Sequence, residues 1–161
     1  MHHIDQTNQL FIVRNHDVLI NTTPEKLWPH VLRFETYNRT FEKVELLSGM
    51  QDTVGSISLL TKKVGDMYMP PYLVKVIEVK PQRQIVWKMY PRTGNEFYCM
   101  VDFSLEPVGK ATRFFVDVYS ESQVPIMSEA QLERLKSDIH KMYDKLMEMM
   151  FKNIKDLAEA Q

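Results

Sequence analysis

The residues able to do chemistry are few and scattered. The chain carries five histidines, His2, His3, His16, His30 and His140, and one cysteine, Cys99. None stands at a metal-ligand spacing: there is no HExxH pair and no His/Cys cluster of the kind zinc takes. A GxSxG elbow, a Gly-rich phosphate loop and a GxGxxG fingerprint are absent too. Acid–base work would fall to single groups: His140 and Tyr143 in a helical stretch near the C-terminus, Asp117 and Lys88 within strand-like stretches. A lone His140 beside Ile139 reads first as a helix surface residue. Lys75, Lys88, Asp102 and Asp117 alternate with apolar neighbours, so they read first as the solvated face of a sheet. Tyr98, Met100, Phe115 and Tyr119 share that face. This leaves open an aromatic contact surface, or the opposite assignment of faces with the charges turned toward a ligand. Cys99 alternates with the apolar set and reads as a small core residue, inert because burial raises a thiol's pKa.

The elements that must position these groups are clearer. Ser128–Gln161 reads as one long helix. Leu132, Leu135, Ile139, Met142, Leu146, Met149/Met150, Ile154 with Phe151, and Leu157 recur in steps of three and four and form one stripe. Ser128 is the expected N-cap, with Glu129 in the first turn. Upstream, Leu10–Ile20 reads as a strand. Thr22-Thr23-Pro24-Glu25 then starts a short helix that buries Leu27, Trp28 and Val31. A second short helix or turn covers Phe34–Phe41. Strands follow at Glu42–Leu47, Ser56–Lys62, Tyr72–Val79, Gln84–Tyr90, Glu96–Glu106 and Thr112–Ser120. Gly65-Asp66, Pro81, Pro91–Asn95 and Pro107–Lys110 serve as turns. Pro70-Pro71 marks an edge or bulge, and with Met67, Tyr68, Met69 and Tyr72 it makes an apolar loop. No second helix is long enough to cover the C-terminal one, so its stripe must lie on the sheet. A twisted antiparallel sheet around a helix leaves space between them.

Composition sets the outer bounds. The 161 residues fit a single domain spanning 1–161, and 44 % apolar with 25 % charged residues is ordinary for a globular protein. A net charge of −1 gives no pull toward nucleic acid or an anionic membrane. The mixed lysines and acids of the long helix read as a solvated face rather than a nucleic-acid face. No apolar run reaches the roughly 20 residues a membrane span needs, no signal peptide is evident, and one cysteine suits a reducing compartment. A cytoplasmic protein without stable membrane insertion is therefore expected. The 11 methionines are the compositional oddity, and several crowd the long helix, either as ordinary core or as a deformable apolar wall.

Several segments resemble the helix-grip superfamily, which includes the birch-pollen allergen, START lipid-transfer domains and polyketide cyclases (SRPBCC). These are Val18–Trp28, Gly55-Ser56, Val76–Pro81 with Ile85-Val86-Trp87, Phe103–Pro107 with Gly109 and Thr112, and the terminal helix. One departure is that Tyr37 and Phe41 stand where many relatives carry a Trp. The resemblance implies an α+β helix-grip fold. A curved antiparallel sheet of about seven strands wraps a long C-terminal helix, with two short helices after the first strand. It also implies a cavity for a small hydrophobic ligand (lipid, polyketide or isoprenoid-like), held by a carrier or sensor. Read by periodicity, the ligand-facing residues are Trp87, Met89, Cys99, Val101, Val116, Ile139, Met142, Leu146 and Met150. No cofactor and no metal is implied. A cyclase/aromatase-like enzyme, of cyclase or dehydratase type, and a chaperone-activator-like interaction module with a filled core are the alternatives. A binding protein is preferred to an enzyme.

Overall fold

A computed structural model of the chain describes residues 7–68, 71–91 and 97–160. The elements run β1 (Thr7–Ile20), α1 (Pro24–Leu32), α2 (Phe34–Tyr37), β2 (Phe41–Ser48), β3 (Ile57–Val64), β4 (Met67–Tyr68), β5 (Tyr72–Lys80), β6 (Gln84–Pro91), β7 (Phe97–Val108), β8 (Ala111–Pro125) and α3 (Glu129–Glu159). His2, His3, Met69, Pro70 and the turn at 92–95 lie outside the described residues, as do the side chains of Phe97 and Tyr98. At α1, Thr23 holds the N-cap position but its side chain makes no capping bond. The preset φ of Pro24 and the negative Glu25 in the first turn start the helix instead. Leu27 and Val31 are fully buried beneath it, while Trp28 is only partly covered. Tyr37 on α2 donates a 2.7 Å hydrogen bond to the Val31 carbonyl and so locks the two short helices together.

The sheet order is β1-β8-β7-β6-β5-β3-β2, with β4 paired to β3, and every pairing is antiparallel. From β2 to β8 it is a meander. β1 then joins the last strand, in unbroken register from Thr7 opposite Pro125 to Ile20 opposite Thr112. The inner face carries Ile85, Trp87 and Met89 of β6, Cys99 to Leu105 of β7 at alternate positions, and Phe114, Val116 and Val118 of β8, all buried. Lys75 and Lys88 are exposed and Asp102 and Asp117 half-buried on the other face, which fixes the assignment of faces.

On that outer face Asp102 and Asp117 stand directly opposite each other in the β7–β8 ladder. Burial, and then the Asp102 charge, push the Asp117 carboxyl above its ordinary value. A raised carboxylate pKa means that the folded state favours the protonated form. The associated stability is present below the ordinary carboxylate range and is lost as pH rises through the native pKa. Asp117→Asn is therefore expected to stabilise the fold at pH 7 by a few tenths of a kcal/mol, on the order of a like-charge cross-strand pair. The gain should vanish near pH 3. Urea denaturation at the two pH values measures it, and equal gains at both would contradict the electrostatic origin.

α3 has 31 residues and is about 46 Å long at 1.5 Å per residue. Its start is a capping box: Ser128 Oγ accepts from the Gln131 N–H at 3.2 Å, and Gln131 Oε1 accepts from the Ser128 N–H at 3.0 Å. Only its C-terminal half is sealed, through Met147, Met150, Ile154 and Ala158. Two polar ties hold that half in place. Asn153 donates to the Tyr37 carbonyl at 3.1 Å, and Glu159 accepts from the Asn21 N–H at 2.8 Å. Lys155 also lies within ion-pair reach of Glu159. Midway along α3, Asp144 accepts from Arg14, and His16 Nε2 lies 2.8 Å from the same oxygen. These contacts clasp β1 to the helix and hold the Asp144 carboxyl below its ordinary value. The stripe expected to be buried along its whole length is thus sealed at one end only. Met142 is 56 % exposed and Leu157 39 %.

Candidate functional site

Because α3 is sealed only toward its C-terminus, its middle stands off the sheet and a cavity opens beneath it. The volume is about 150 Å³. Met89 of β6, Cys99 and Val101 of β7, and Val116 and Val118 of β8 form the floor. Met142, Tyr143, Leu146, Met147 and Met150 of α3 form the roof. Phe34 and Asn38 close the α2 end, and Phe41, Lys62 and Tyr72 stand on the β2–β3–β5 side. The wall is mainly apolar and four of its side chains are methionines, whose unbranched stems repack at low cost. An engineered cavity of this size stays dry and takes benzene.

Lys62 is the basic side chain of the wall, and its other polar groups are neutral. Burial pushes the Tyr143 hydroxyl up, and its oxygen is within hydrogen-bond reach of Ser120 and Cys99. Burial also pushes the Cys99 thiol up to about 12, an effect that the Tyr143 hydroxyl partly offsets. At neutral pH the pair offers hydrogen bonds and neither a thiolate nor a phenolate. Asn38 is buried, but its side-chain oxygen already accepts from Thr40 Oγ1 at 2.6 Å and from the Thr40 N–H at 3.2 Å. Folded protein is accordingly expected to leave Cys99 unmodified by a disulfide reagent at pH 8, where a free cysteine reacts readily. Denaturant should release one thiol per chain. Prompt stoichiometric labelling of folded protein would contradict the burial.

Seven of the nine residues read from periodicity line this cavity: Met89, Cys99, Val101, Val116, Met142, Leu146 and Met150. Trp87 lies on the same sheet face but lines a different cavity, beyond Phe34. Ile139, one turn up the helix from Met142, is not among the lining residues and is half-buried. Of the four acid–base candidates, Tyr143 alone lines the cavity; Lys88 and Asp117 belong to the outer face, and His140 is absent from the lining. Sequence reasoning passed over Phe34, Lys62, Tyr72, Val118 and Met147 as wall residues. Lys62 follows the buried Leu60 by two positions on β3, and Val118 follows Val116 on β8, so the period-two rule carried a signal for both. Among the described residues no group of three metal-ligating side chains gathers, and no helix is long and apolar enough to cross a membrane.

No protein-family model matches the sequence, and no curated protein does. Solved structures do match in shape. The structure of Ara h 8.0201 superposes with a TM-score of 0.69 at 11 % identity, covering 94 % of this chain and 99 % of that one. A START superfamily protein from Mycobacterium smegmatis gives 0.68 at 19 % identity over 92 % and 97 %. The Zhui aromatase/cyclase from Streptomyces sp. R1128 gives 0.64 at 13 % over 93 % and 94 %. With its strand order and its long C-terminal helix over the inner face, the chain therefore has the helix-grip fold of the START-like and birch-pollen-allergen-like (SRPBCC) proteins.

Proposed function

We propose that this protein binds a small hydrophobic molecule, such as a lipid, polyketide or isoprenoid, between sheet and α3, and that it acts as a carrier or sensor in the cytoplasm. The carrying observation is the apolar cavity of about 150 Å³ roofed by Met142, Leu146, Met147 and Met150. Affinity would come from apolar burial at about 25 cal/mol per Å², less the cost of ordering the ligand. The roof is the part able to give way. Met142 is mostly exposed, and the N-terminal half of α3 is held chiefly by the Asp144 clasp rather than by sealed packing. The residues proposed to contact the ligand are the seven above, with Trp87 reached only by a ligand extending past Phe34. An interaction module with a filled core fits this cavity poorly.

Native mass spectrometry of freshly purified protein, compared with the denatured mass, tests the reading. Extra mass lost on denaturation is the expected result. A clean apo mass, together with no uptake of toluene or N-phenyl-1-naphthylamine, would sink it.

One observation favours a second reading, a cyclase/aromatase-like enzyme. Tyr143 is a hydrogen-bonding group inside the apolar wall, placed to orient a ligand carbonyl. If it does so catalytically, Tyr143→Phe retains ligand uptake but stops conversion of the bound molecule.

A further inference from the structure

Beyond Phe34 the inner face of the sheet continues into a second cavity of about 190 Å³. The two cavities lie along one trough. On β6 the wall passes from Met89 in the first to Trp87 in the second, on β5 from Tyr72 to Val74 and Val76, and on β3 from Lys62 to Leu60. Each step is a single period-two shift along a strand, so the same face lines both. Phe34 lines both cavities and stands as the partition, with its ring 5.0 Å from Trp87 and 5.5 Å from Phe41. Either cavity alone falls short of the roughly 300 Å³ at which ordinary small-molecule sites begin, and together they reach it.

The second cavity differs in chemistry. Arg33, Glu35, Gln51, Asp52, Ser56 and Ser58 line it beside apolar residues. Trp87, 6 % exposed, is part of its wall, and the indole N–H is buried with no hydrogen-bond partner. Buried donors are rarely left without an acceptor. The loop that brings Asp52 to the wall is fixed in place. The Gly55 N–H donates to the Val76 carbonyl at 2.8 Å, and the Val76 N–H to the Ser56 carbonyl at 3.1 Å. Gly49 has φ +81°, and a Cβ there would stand 3.0 Å from Ser56 Cα, so the loop closes only with glycine at that point.

We infer that the second cavity is the head-group end of the same trough, and that the ligand is an elongated alcohol whose apolar body fills the first cavity and whose hydroxyl end lies between Trp87 and the carboxylates of Glu35 and Asp52 once Phe34 turns aside. This rests on the first cavity being an apolar ligand site. A hydroxyl is the small group that both accepts from an indole N–H and donates to a carboxylate. An ammonium cannot accept from the indole N–H, and a carboxylate has no proton to donate to Glu35 or Asp52. Burial, and secondarily Glu35, push the Asp52 carboxyl above its ordinary value.

Displacement of N-phenyl-1-naphthylamine from the full chain at pH 7 by toluene, decan-1-ol, decanoate and decylamine tests this. Toluene reports on the first cavity alone. Decanol is expected to bind at least tenfold more tightly than decanoate and more tightly than decylamine. In the Glu35→Gln, Asp52→Asn double variant, whose changes lie at the cavity rim, decanoate should approach decanol while toluene is unchanged. In Trp87→Phe the decanol advantage should shrink several-fold, again with toluene unchanged. If toluene binds but decanol shows no preference, if decylamine outranks it, or if the preference survives the double variant, the head-group assignment is overturned and the first cavity stands. Loss of both toluene and decanol binding overturns the two readings together.

Discussion

Phe103→Ala is expected to cost about 3–5 kcal/mol of folding stability, the range for removing a fully buried phenylalanine. Phe103 on β7 has no exposed surface. Its ring centroid lies 5.0 Å from Trp87, 5.8 Å from Phe34 and 6.3 Å from Phe114, the last pair stacked at 14°. Phe114 in turn meets Phe151 of α3 at 5.8 Å and Tyr37 of α2 at 6.4 Å. One ring therefore joins the sheet to the short helices directly and to the long helix through a single neighbour. Truncation removes edge-to-face contacts along with area, and the surrounding aromatics are too rigid to collapse into the space. For a chain of this size such a loss lowers the melting temperature by roughly 2–4 °C per kcal/mol. Urea denaturation measures it, with an unchanged m-value showing that the unfolded state is the same. A cost below about 1 kcal/mol would mean that the aromatic cluster is not the centre of the core.

The sequence and the structure agree over most of the local physics, with Thr23 the exception, since it takes the N-cap position without a capping bond. The alternation of Cys99, Val101, Phe103 and Leu105 with Met100, Asp102 and Ser104 is a period-two pattern, and the inner and outer faces of β7 follow it. Ser128 and Gln131 form the helix start that capping chemistry requires. Gly65, with φ +62°, sits at the turn its residue type favours. Depth is another matter. Met142 and Met150 occupy the same helical stripe, yet one is 56 % exposed and the other 1 %. Periodicity gives a direction around the helix axis and no distance from the sheet. That distance is set by the sealed contacts of Ile154 and Ala158 and by the clasp at Asp144, both of which are tertiary. The same limit hid Phe34. The short α2 turn holds it between Trp87 and Met89, two residues apart on one strand face, and nothing in the spacing of the strand distinguishes them. The pairing of β1 with β8, across most of the chain, likewise has no local signature.

That difference in depth makes the second large effect a matched pair. Leu146→Glu is expected to reduce uptake of toluene or N-phenyl-1-naphthylamine at least tenfold in a protein that still folds, whereas Met142→Glu changes it little. Both side chains line the cavity, but Leu146 is half-buried and Met142 lies at the mouth with more than half of its surface in water. A carboxylate at position 142 keeps its hydration and swings outward. At position 146 it stands on the roof, and an apolar ligand must strip water from it or leave space around it. A desolvation cost of about 2 kcal/mol is enough for a thirtyfold loss, at 1.4 kcal/mol per factor of ten. Leu146 lies outside the fully sealed set of Met147, Met150, Ile154 and Ala158, so the helix is expected to remain docked, and circular dichroism with a cooperative melt checks that. Leu146→Met, which keeps volume and polarity, should retain uptake. Equal losses in the two Glu variants would place the ligand at the mouth rather than under the roof. Retained uptake in folded Leu146→Glu would remove the cavity beneath α3 from consideration as the binding site.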